Sequence, residues 1–310
     1  MTTPALPSAG RWAVFLRERY EPLSHMAMAA AFALGNAGVA VAAAGAAGAA
    51  GGAFGATVPS MVVVGLFFLR LRIFDEIKDY RHDCEANPRR PLPRGLISLE
   101  EARNLAGLVT VLEAVLATAL GWEVGLAWAA SYAYSLAMFG EFGIGPWLRP
   151  RLELYAISHT LVASLLGLTV ATAVTGLPLW RLPDTVWLFA PANWALFNVF
   201  EFSRKTFAPT EESESEASYS SRWGPCGAAG ITLAWSAVAL VLSAVTEPRV
   251  LNAMRPSTAV LVFGSIALLI AVPYLTLRRP PAAKFFRFAM SGWATALYLA
   301  TGVTGLGAAS

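Results

Sequence analysis

Charged residues are scarce in this sequence. Only 14% of its 310 residues are Asp, Glu, Lys or Arg, whereas soluble domains carry about 25%. Hydrophobic residues make up 56%, and the mean hydropathy is +0.55. Too few charged side chains exist to cover a globule of this size, which excludes an ordinary soluble enzyme. Two cysteines, Cys84 and Cys226, exclude a disulfide framework. The composition is typical of a polytopic membrane protein.

Long apolar runs occupy most of the chain. A helix needs about 20 apolar residues to cross the hydrocarbon core of a bilayer. We therefore predict an all-α fold in which residues 24–310 form one domain, a bundle of nine transmembrane helices. Residues 1–23 precede it, with a short amphipathic helix over 11–20 lying on the membrane surface. The predicted crossings are 24–50, 54–74, 101–120, 122–140, 152–176, 184–203, 225–246, 257–277 and 284–307.

Basic residues are distributed unevenly over the loops between these runs. If the loops alternate between two sides, 20 of the 23 Lys and Arg residues lie on the side of the N-terminus. The positive-inside rule makes that side cytoplasmic and puts the C-terminus outside. Two long polar loops, 75–100 and 204–224, then cap the cytoplasmic side after helices 2 and 6. Because the basic clusters are short and alternate with apolar runs, we expect no nucleic-acid partner.

The first polar loop begins with regularly spaced acids. Asp75, Asp79 and Asp83 are four residues apart, so a helix would place them on one face. Like charges at this spacing repel one another, and Arg72 and Lys78 could simply neutralise them. The alternative, which we favour, is that the carboxylates hold Mg²⁺, which binds protein carboxylates together with water and substrate phosphate.

A stiff basic turn follows the acids. Residues 87–95 read NPRRPLPRG, and their prolines prevent the helix from continuing. Arg90 and Arg94 are thereby presented toward the acidic helix end. Arginine is suited to bidentate phosphate binding. Acids that hold a metal, followed by arginines on a rigid turn, are typical of a diphosphate site.

The segment Asp75–Ser98 resembles the first signature of the UbiA-type intramembrane prenyltransferases. Its pattern is D-x-x-x-D-x-x-x-D followed by N-P-x-R-P-L-P-x-G-x-I-S. The resemblance implies nine transmembrane helices with signatures after the second and sixth, both facing the cytoplasm. It also implies that Asp79 and Asp83 carry metal. The family signature usually opens with Asn, where this chain has Asp75.

The second polar region departs from the pattern of that family. Where the family has a second D-x-x-x-D near the end of the sixth span, this chain has Glu201 and Lys205, with Asn198 on the same helix face. An exposed Glu–Lys pair at this spacing is worth only ~0.3–0.5 kcal/mol. We favour a functional role, in which Glu201 binds metal and Lys205 contacts diphosphate directly. Arg222 is expected to return to the site entrance.

These features predict Mg²⁺-dependent transfer of a prenyl group from an allylic isoprenoid diphosphate to a hydrophobic or aromatic acceptor. The predicted catalytic residues are Asp75, Asp79, Asp83, Glu201 and Lys205, of which all but Lys205 would bind the metal. The predicted diphosphate-binding residues are Arg72, Lys78, Arg90, Arg94, Asn198, Lys205 and Arg222.

Two other functions remain open at this point. Terpene cyclisation would use the same site, with an alkene of the prenyl chain attacking the cation. A non-enzymatic lipid transporter fits less well, because its charges should follow a continuous path rather than gather at one mouth.

Overall fold

The computed structural model describes residues 8–45, 50–213, 217–246 and 256–307. Within these ranges there is no β-strand, which confirms the all-α prediction. Thirteen α-helices occur in the described residues, and they are numbered here in chain order. They are α1 Ser8–Arg19, α2 Pro22–Ala44, α3 Ala50–Lys78, α4 Tyr80–Ala86, α5 Leu99–Ala119, α6 Trp122–Phe139, α7 Gly145–Leu148, α8 Leu152–Thr160, α9 Val162–Thr175, α10 Asp184–Arg204, α11 Tyr219–Thr246, α12 Pro256–Leu277 and α13 Pro280–Gly307.

Six helical segments of the described chain are long and apolar enough to cross a membrane. These segments indicate an integral membrane protein. Helices α6, α10 and α13 also coincide with predicted crossings and have 18, 21 and 28 residues, but they are not among the six. Nine crossings therefore stay a prediction. The six segments are Pro22–Ala44, Gly55–Lys78, Leu99–Ala119, Leu152–Thr175, Tyr219–Thr246 and Val260–Leu277.

Helices α2 and α13 cross closely because glycines lie at their contact. A Cβ atom added at Gly38 would lie 2.5 Å from the carbonyl oxygen of Gly302, and one added at Gly305 would overlap the backbone of Gly38. Small residues allow the backbones of membrane helices to approach one another in this way. The seam between α2 and α13 is therefore closed by direct backbone contact.

Helix α1 covers one end of the bundle. Its Phe15 is fully buried in a cluster with Ile73 and Ile97. Its Arg19 places Nε 2.6 Å from Oε1 of Glu76 in α3. The predicted amphipathic segment is thus helical, and part of its apolar face packs against the protein. The first seven residues of the chain lie outside the described part.

Helices α3 and α4 form a nearly continuous helical path through the acidic motif. Helix α3 extends beyond its predicted end to Lys78, and α4 begins at Tyr80. Backbone hydrogen bonds join Asp79 N to Asp75 O at 2.9 Å and Asp83 N to Asp79 O at 2.8 Å. The helical spacing of four residues therefore continues across the junction, and the three aspartates occupy successive turns, as predicted.

Candidate active site

A polar cleft at one end of the bundle adjoins a mostly apolar cavity inside it. The cleft has a volume of about 440 Å³, and the cavity has about 190 Å³. Several residues line both spaces, and we call the region that they surround the neck. The neck residues are Asp75, Lys78, Tyr155, Arg204 and Lys205.

Cationic residues outnumber acidic residues in the lining of the cleft. Six Lys and Arg side chains face four Asp and Glu side chains. This excess favours an anion that carries more than one negative charge. The cations are Arg19, Arg72, Lys78, Arg90, Arg204 and Lys205, and the acids are Asp75, Glu76, Asp79 and Asp83.

The three aspartates of the first motif all line the cleft, but their surroundings differ. The side chain of Asp75 is 52% exposed and lies 3.5 Å from Nζ of Lys78. Asp83 is buried, and both its oxygens accept hydrogen bonds from Nη1 of Arg90, at 2.7 and 2.8 Å. Asp79 has neither an ion pair nor a side-chain hydrogen bond within the described residues. Asp75 and Asp79 are thus the more available carboxylates.

The charge on Asp79 is unfavourably placed in the protein alone. Burial raises the pKa of the Asp79 carboxyl, and the charges of Asp75 and Asp83 raise it further, although Lys78 opposes the shift. A carboxylate whose negative charge is disfavoured in this way gains stability when a cation binds beside it. Asp79 is therefore well suited to hold a cation delivered with a ligand.

The donor set fits Mg²⁺ only in company with a ligand. Within the described ranges, no group of three or more His, Cys, Asp or Glu side chains could hold a metal ion. Asp83 is engaged by Arg90, so these contacts do not favour its predicted role as a metal ligand. Asp75 and Asp79 remain, and Mg²⁺ often uses one or two protein carboxylates together with substrate phosphates.

The second motif is a small ion network at the end of α10. One oxygen of Glu201 accepts a hydrogen bond from Nε of Arg204 at 2.5 Å, and the other lies 3.3 Å from Nζ of Lys205. Glu201 has a cation on each oxygen of its carboxylate, so these contacts do not favour its predicted role as a metal ligand. Lys205 lines both the cleft and the cavity, so its ammonium lies at the neck.

Arg72 and Lys78 also reach the cleft, as predicted. Lys78 Nζ donates a hydrogen bond to the hydroxyl oxygen of Tyr155 at 2.5 Å. Arg72 forms an ion pair with Glu76, at 2.9 Å from Oε1. These contacts fix both cations on the acidic side of the cleft, within reach of an anion bound there.

Two arginines predicted to bind diphosphate lie elsewhere. Arg94 forms a bidentate ion pair with Glu18 of α1, at 2.9 and 3.0 Å. Arg222 places Nε 2.8 Å from Oε1 of Glu153 and donates to a backbone carbonyl of the loop before α8. Neither residue lines the cleft. Their partners are far away in sequence, so the loop composition could not indicate these contacts.

Asn198 is likewise not brought to the cleft. Its side chain is fully buried, where Oδ1 accepts a hydrogen bond from Thr160 Oγ1 at 3.0 Å and Nδ2 donates to the carbonyl of Trp194 at 3.0 Å. Asn198 therefore joins α10 to α8 inside the bundle, away from the cleft. Seven residues along a helix span about 10 Å, and Lys205 follows the last residue of α10, so Asn198 lies deeper in the bundle than Lys205.

Several residues that line the cleft were not among the predicted site residues, and they include Arg19, Tyr155 and Arg204. Arg19 reaches the cleft because α1 folds over the bundle. Tyr155 lies at the neck, and its ring stacks on that of His159 with centroids 3.9 Å apart. A Tyr and a His four residues apart in an apolar span were the available signal.

Two solved structures share this architecture. One comes from work on digeranylgeranylglyceryl phosphate synthase in membranes, is 14% identical, and aligns over 93% of this chain and 99% of its own with a TM-score of 0.58. The other is a UbiA homolog from Archaeoglobus fulgidus bound to GPP and Mg²⁺, 15% identical over 94% and 99%, with a TM-score of 0.54. The chain has the UbiA-type prenyltransferase fold.

The sequence resemblance to the UbiA-type proteins is strong in one short motif, whereas the similarity of fold covers nearly the whole chain. No family model matches the sequence, and no curated protein matches it either. At 14% and 15% identity the alignments establish the shared fold and not the chemistry. The chemistry of this chain depends on the residues of the cleft, the neck and the cavity.

Proposed function

We propose that the protein is a Mg²⁺-dependent prenyltransferase that moves the prenyl group of an allylic isoprenoid diphosphate onto a hydrophobic or aromatic acceptor within the membrane. The observation that carries this proposal is the junction of a cationic cleft with an apolar cavity at one neck. A prenyl diphosphate has an anionic head joined to an apolar chain. It would fill both spaces with its C1–O bond at the neck.

The cations of the cleft would bind the leaving diphosphate. Arg90 is held in place by Asp83, and Arg72 by Glu76, so neither must be reorganised when negative charge develops on the leaving group. Preorganised positive groups of this kind stabilise a transition state more than the ground state. Lys78 lies at the neck, where its ammonium would meet the oxygen that departs from C1.

Asp75 and Asp79 are the residues that would hold Mg²⁺. Bound beside the diphosphate, the ion would supply positive charge that neutralises the leaving group. Asp83 would contribute through Arg90 instead. These roles agree with the ion pairs of the predicted metal ligands. Asp83 and Glu201 each pair with an arginine, whereas Asp75 and Asp79 have no arginine partner within the described residues.

Lys205 accounts for the departure of the second motif from the family pattern. In place of a carboxylate that needs a divalent cation to attract phosphate, the neck has an ammonium that is attractive by itself. Glu201 lies 3.3 Å from this ammonium and would orient it. We assign Lys205 to direct contact with the diphosphate.

The cavity would protect the allylic cation. Its wall includes the rings of Phe74, Phe139, Tyr155 and Phe197, and aromatic faces stabilise a nearby positive charge. An apolar wall also excludes water, which would otherwise capture the cation. The nucleophile would then be an electron-rich acceptor that reaches C1 from within the bundle.

The test is product analysis by mass spectrometry. The purified chain in lipid vesicles would receive allylic diphosphates of several chain lengths, Mg²⁺ and a set of phenolic, quinone and alcohol acceptors. We expect a new species whose mass equals acceptor plus prenyl group. A hydrocarbon formed from donor alone would indicate cyclisation instead, and metal-independent uptake of intact lipid without product would indicate a transporter.

A further inference from the structure

A second opening lies on the outer side of helices α3, α5 and α6. This groove has a volume of about 360 Å³. It is lined on α5 by Arg103, Gly107 and Thr110, on α6 by Tyr132 and Phe139, and on α3 by Phe74. Neighbouring α5 side chains are exposed, such as Leu108 at 56% and Val111 at 59%. In a membrane-embedded bundle such a face contacts lipid.

Two aromatic rings separate this groove from the cavity of the candidate active site. Phe74 and Phe139 line both spaces, and their ring centroids are 4.8 Å apart. At this point, therefore, only these two rings separate the groove from the cavity.

The rest of the wall is held rigidly by a buried arginine. Arg70 is fully buried, and its guanidinium binds both oxygens of Glu113 at 2.9 and 3.0 Å and Ser135 Oγ at 2.8 Å. The same guanidinium lies over the rings of Phe74 and Tyr132, 5.2 and 4.8 Å from their centroids. Phe74 is thereby fixed from within the bundle.

Phe139 lies at the end of its helix, whereas Phe74 lies within α3. Phe139 is the last residue of α6, and Gly140 follows it as the C-cap. A side chain at a helix end next to glycine can move without disturbing the helix. Movement of the Phe139 ring alone would join the groove to the cavity.

The groove has a cation at one end and an open, uncharged middle, which suits an amphipathic molecule. Arg103 is exposed at its end nearest the start of α5 and has no ion pair or side-chain hydrogen bond within the described residues. From Arg103 to Thr110 the helix spans about 10 Å. Between them, a Cβ added at Gly107 would meet nothing within 4 Å, which leaves the middle of the groove open for an apolar body.

We infer that this groove binds the hydrophobic acceptor as it arrives from the bilayer, with an acidic head group at Arg103 and its apolar body beside Gly107, and that Phe139 is the gate to the cavity. The inference rests on the proposed function, because it requires a second substrate that meets the donor in the cavity. Helices α2 and α13 are in direct backbone contact at their glycine seam, which leaves no comparable groove between those two helices at that point. The groove would thus serve the acceptor, and the cleft would serve the donor.

The test is photolabelling of the full chain in vesicles. The probe is palmitic acid with a diazirine at the chain end, compared with the corresponding alcohol. Gly107→Trp fills the groove without a clash, and Gly292→Trp is the matched control, because Gly292 is an exposed glycine of α13 that is equally open. Neither residue belongs to the proposed catalytic machinery.

We expect the acid probe to label peptides of α5 and α6, and this labelling should be lost in Gly107→Trp but retained in Gly292→Trp. Arg103→Gln should lower acid labelling about fivefold, toward the level of the alcohol, because one cation near the membrane surface is worth ~1 kcal/mol to an anion. Phe139→Ala should add label on cavity residues such as Ser135.

Uniform labelling of all lipid-facing helices, or equal labelling of the two tryptophan variants, would overturn the inference and reduce the groove to ordinary lipid contact. Labelling needs neither donor nor turnover, so a failure here is distinguishable from a failure of prenyl transfer. In an active preparation, Gly107→Trp should also raise the KM of the acceptor and leave that of the donor unchanged.

Discussion

The guanidinium of Arg90 binds both carboxylate oxygens of Asp83, at 2.7 and 2.8 Å. The two residues belong to different parts of the first motif, the acidic helix and the proline-rich turn. Asn87 adds a hydrogen bond to Asp83 at 3.0 Å. The third aspartate therefore joins the turn to the helix and directs an arginine into the cleft.

This pairing predicts that Asp83 and Arg90 act as one unit. Arg90→Ala should raise the KM of the donor about tenfold or more, because a hydrogen bond to a charged group is worth ~1.5–3 kcal/mol. Asp83→Asn should have a similar effect, since Arg90 is then no longer held. In a double-mutant cycle the two losses should fall well short of additive. Additive losses would mean that Asp83 has a separate role, such as metal binding.

Lys205 should bind diphosphate directly. Lys205→Ala should weaken donor binding and slow ionisation, whereas Lys205→Arg should keep part of both, because the charge survives with a different geometry. Lys205→Asp should abolish activity. If the new carboxylate instead re-forms a metal site, the variant should be active with a steeper dependence on Mg²⁺. Donor titrations and single-turnover rates would measure these effects. Unchanged affinity and rate in Lys205→Ala would show that the residue only pairs with Glu201.

The seam between α2 and α13 should be intolerant of side chains. Gly302→Leu would drive a side chain into backbone that already lies at contact distance, and overpacking of this kind costs ~1–3 kcal/mol or more. Thermal unfolding in detergent should show a clear loss of stability. Gly292→Leu, at an open position on the same helix, should have little effect. Equal melting temperatures for the two variants would contradict the close crossing.

The topology inferred from basic residues can be tested with reporters. With nine crossings and a cytoplasmic N-terminus, a reporter after Ser310 should read extracytoplasmic. One inserted in the polar segment at 211–213 should read cytoplasmic, on the same side as the cleft. Both reporters on one side would contradict the count of nine.

Local spacing was enough to find half of the site. Asp75, Asp79 and Asp83 share a helix face because that depends only on the four-residue interval, and the prolines of the next turn are equally local. Lys205 was singled out because it replaces an acidic residue of the second signature of the resembled family. These inferences require no knowledge of how distant helices pack.

The remaining residues depend on packing between distant segments. Arg19 reaches the cleft only because Phe15 buries α1 against α3 and the following loop. Arg94 lies outside the cleft because it pairs with Glu18, which is 76 residues distant in sequence. Tyr155 enters the neck because α8 packs beside α10 and because its hydroxyl accepts a hydrogen bond from Lys78 of α3. No periodicity within a single segment specifies such partners.

We propose that the cleft and cavity hold an allylic diphosphate and ionise it with Mg²⁺ bound through Asp75 and Asp79. The most direct measurement is release of inorganic pyrophosphate from allylic diphosphates by the purified chain in vesicles, in the presence of the same set of acceptors, with Mg²⁺ or with excess EDTA. We predict release that requires Mg²⁺ and that falls by ~10² or more in Asp79→Asn, about 2.7 kcal/mol of transition-state stabilisation. Glu85→Gln, an exposed acid of α4 outside the cleft, should behave as wild type. Release that persists in EDTA, or that is unchanged in Asp79→Asn, would contradict the account.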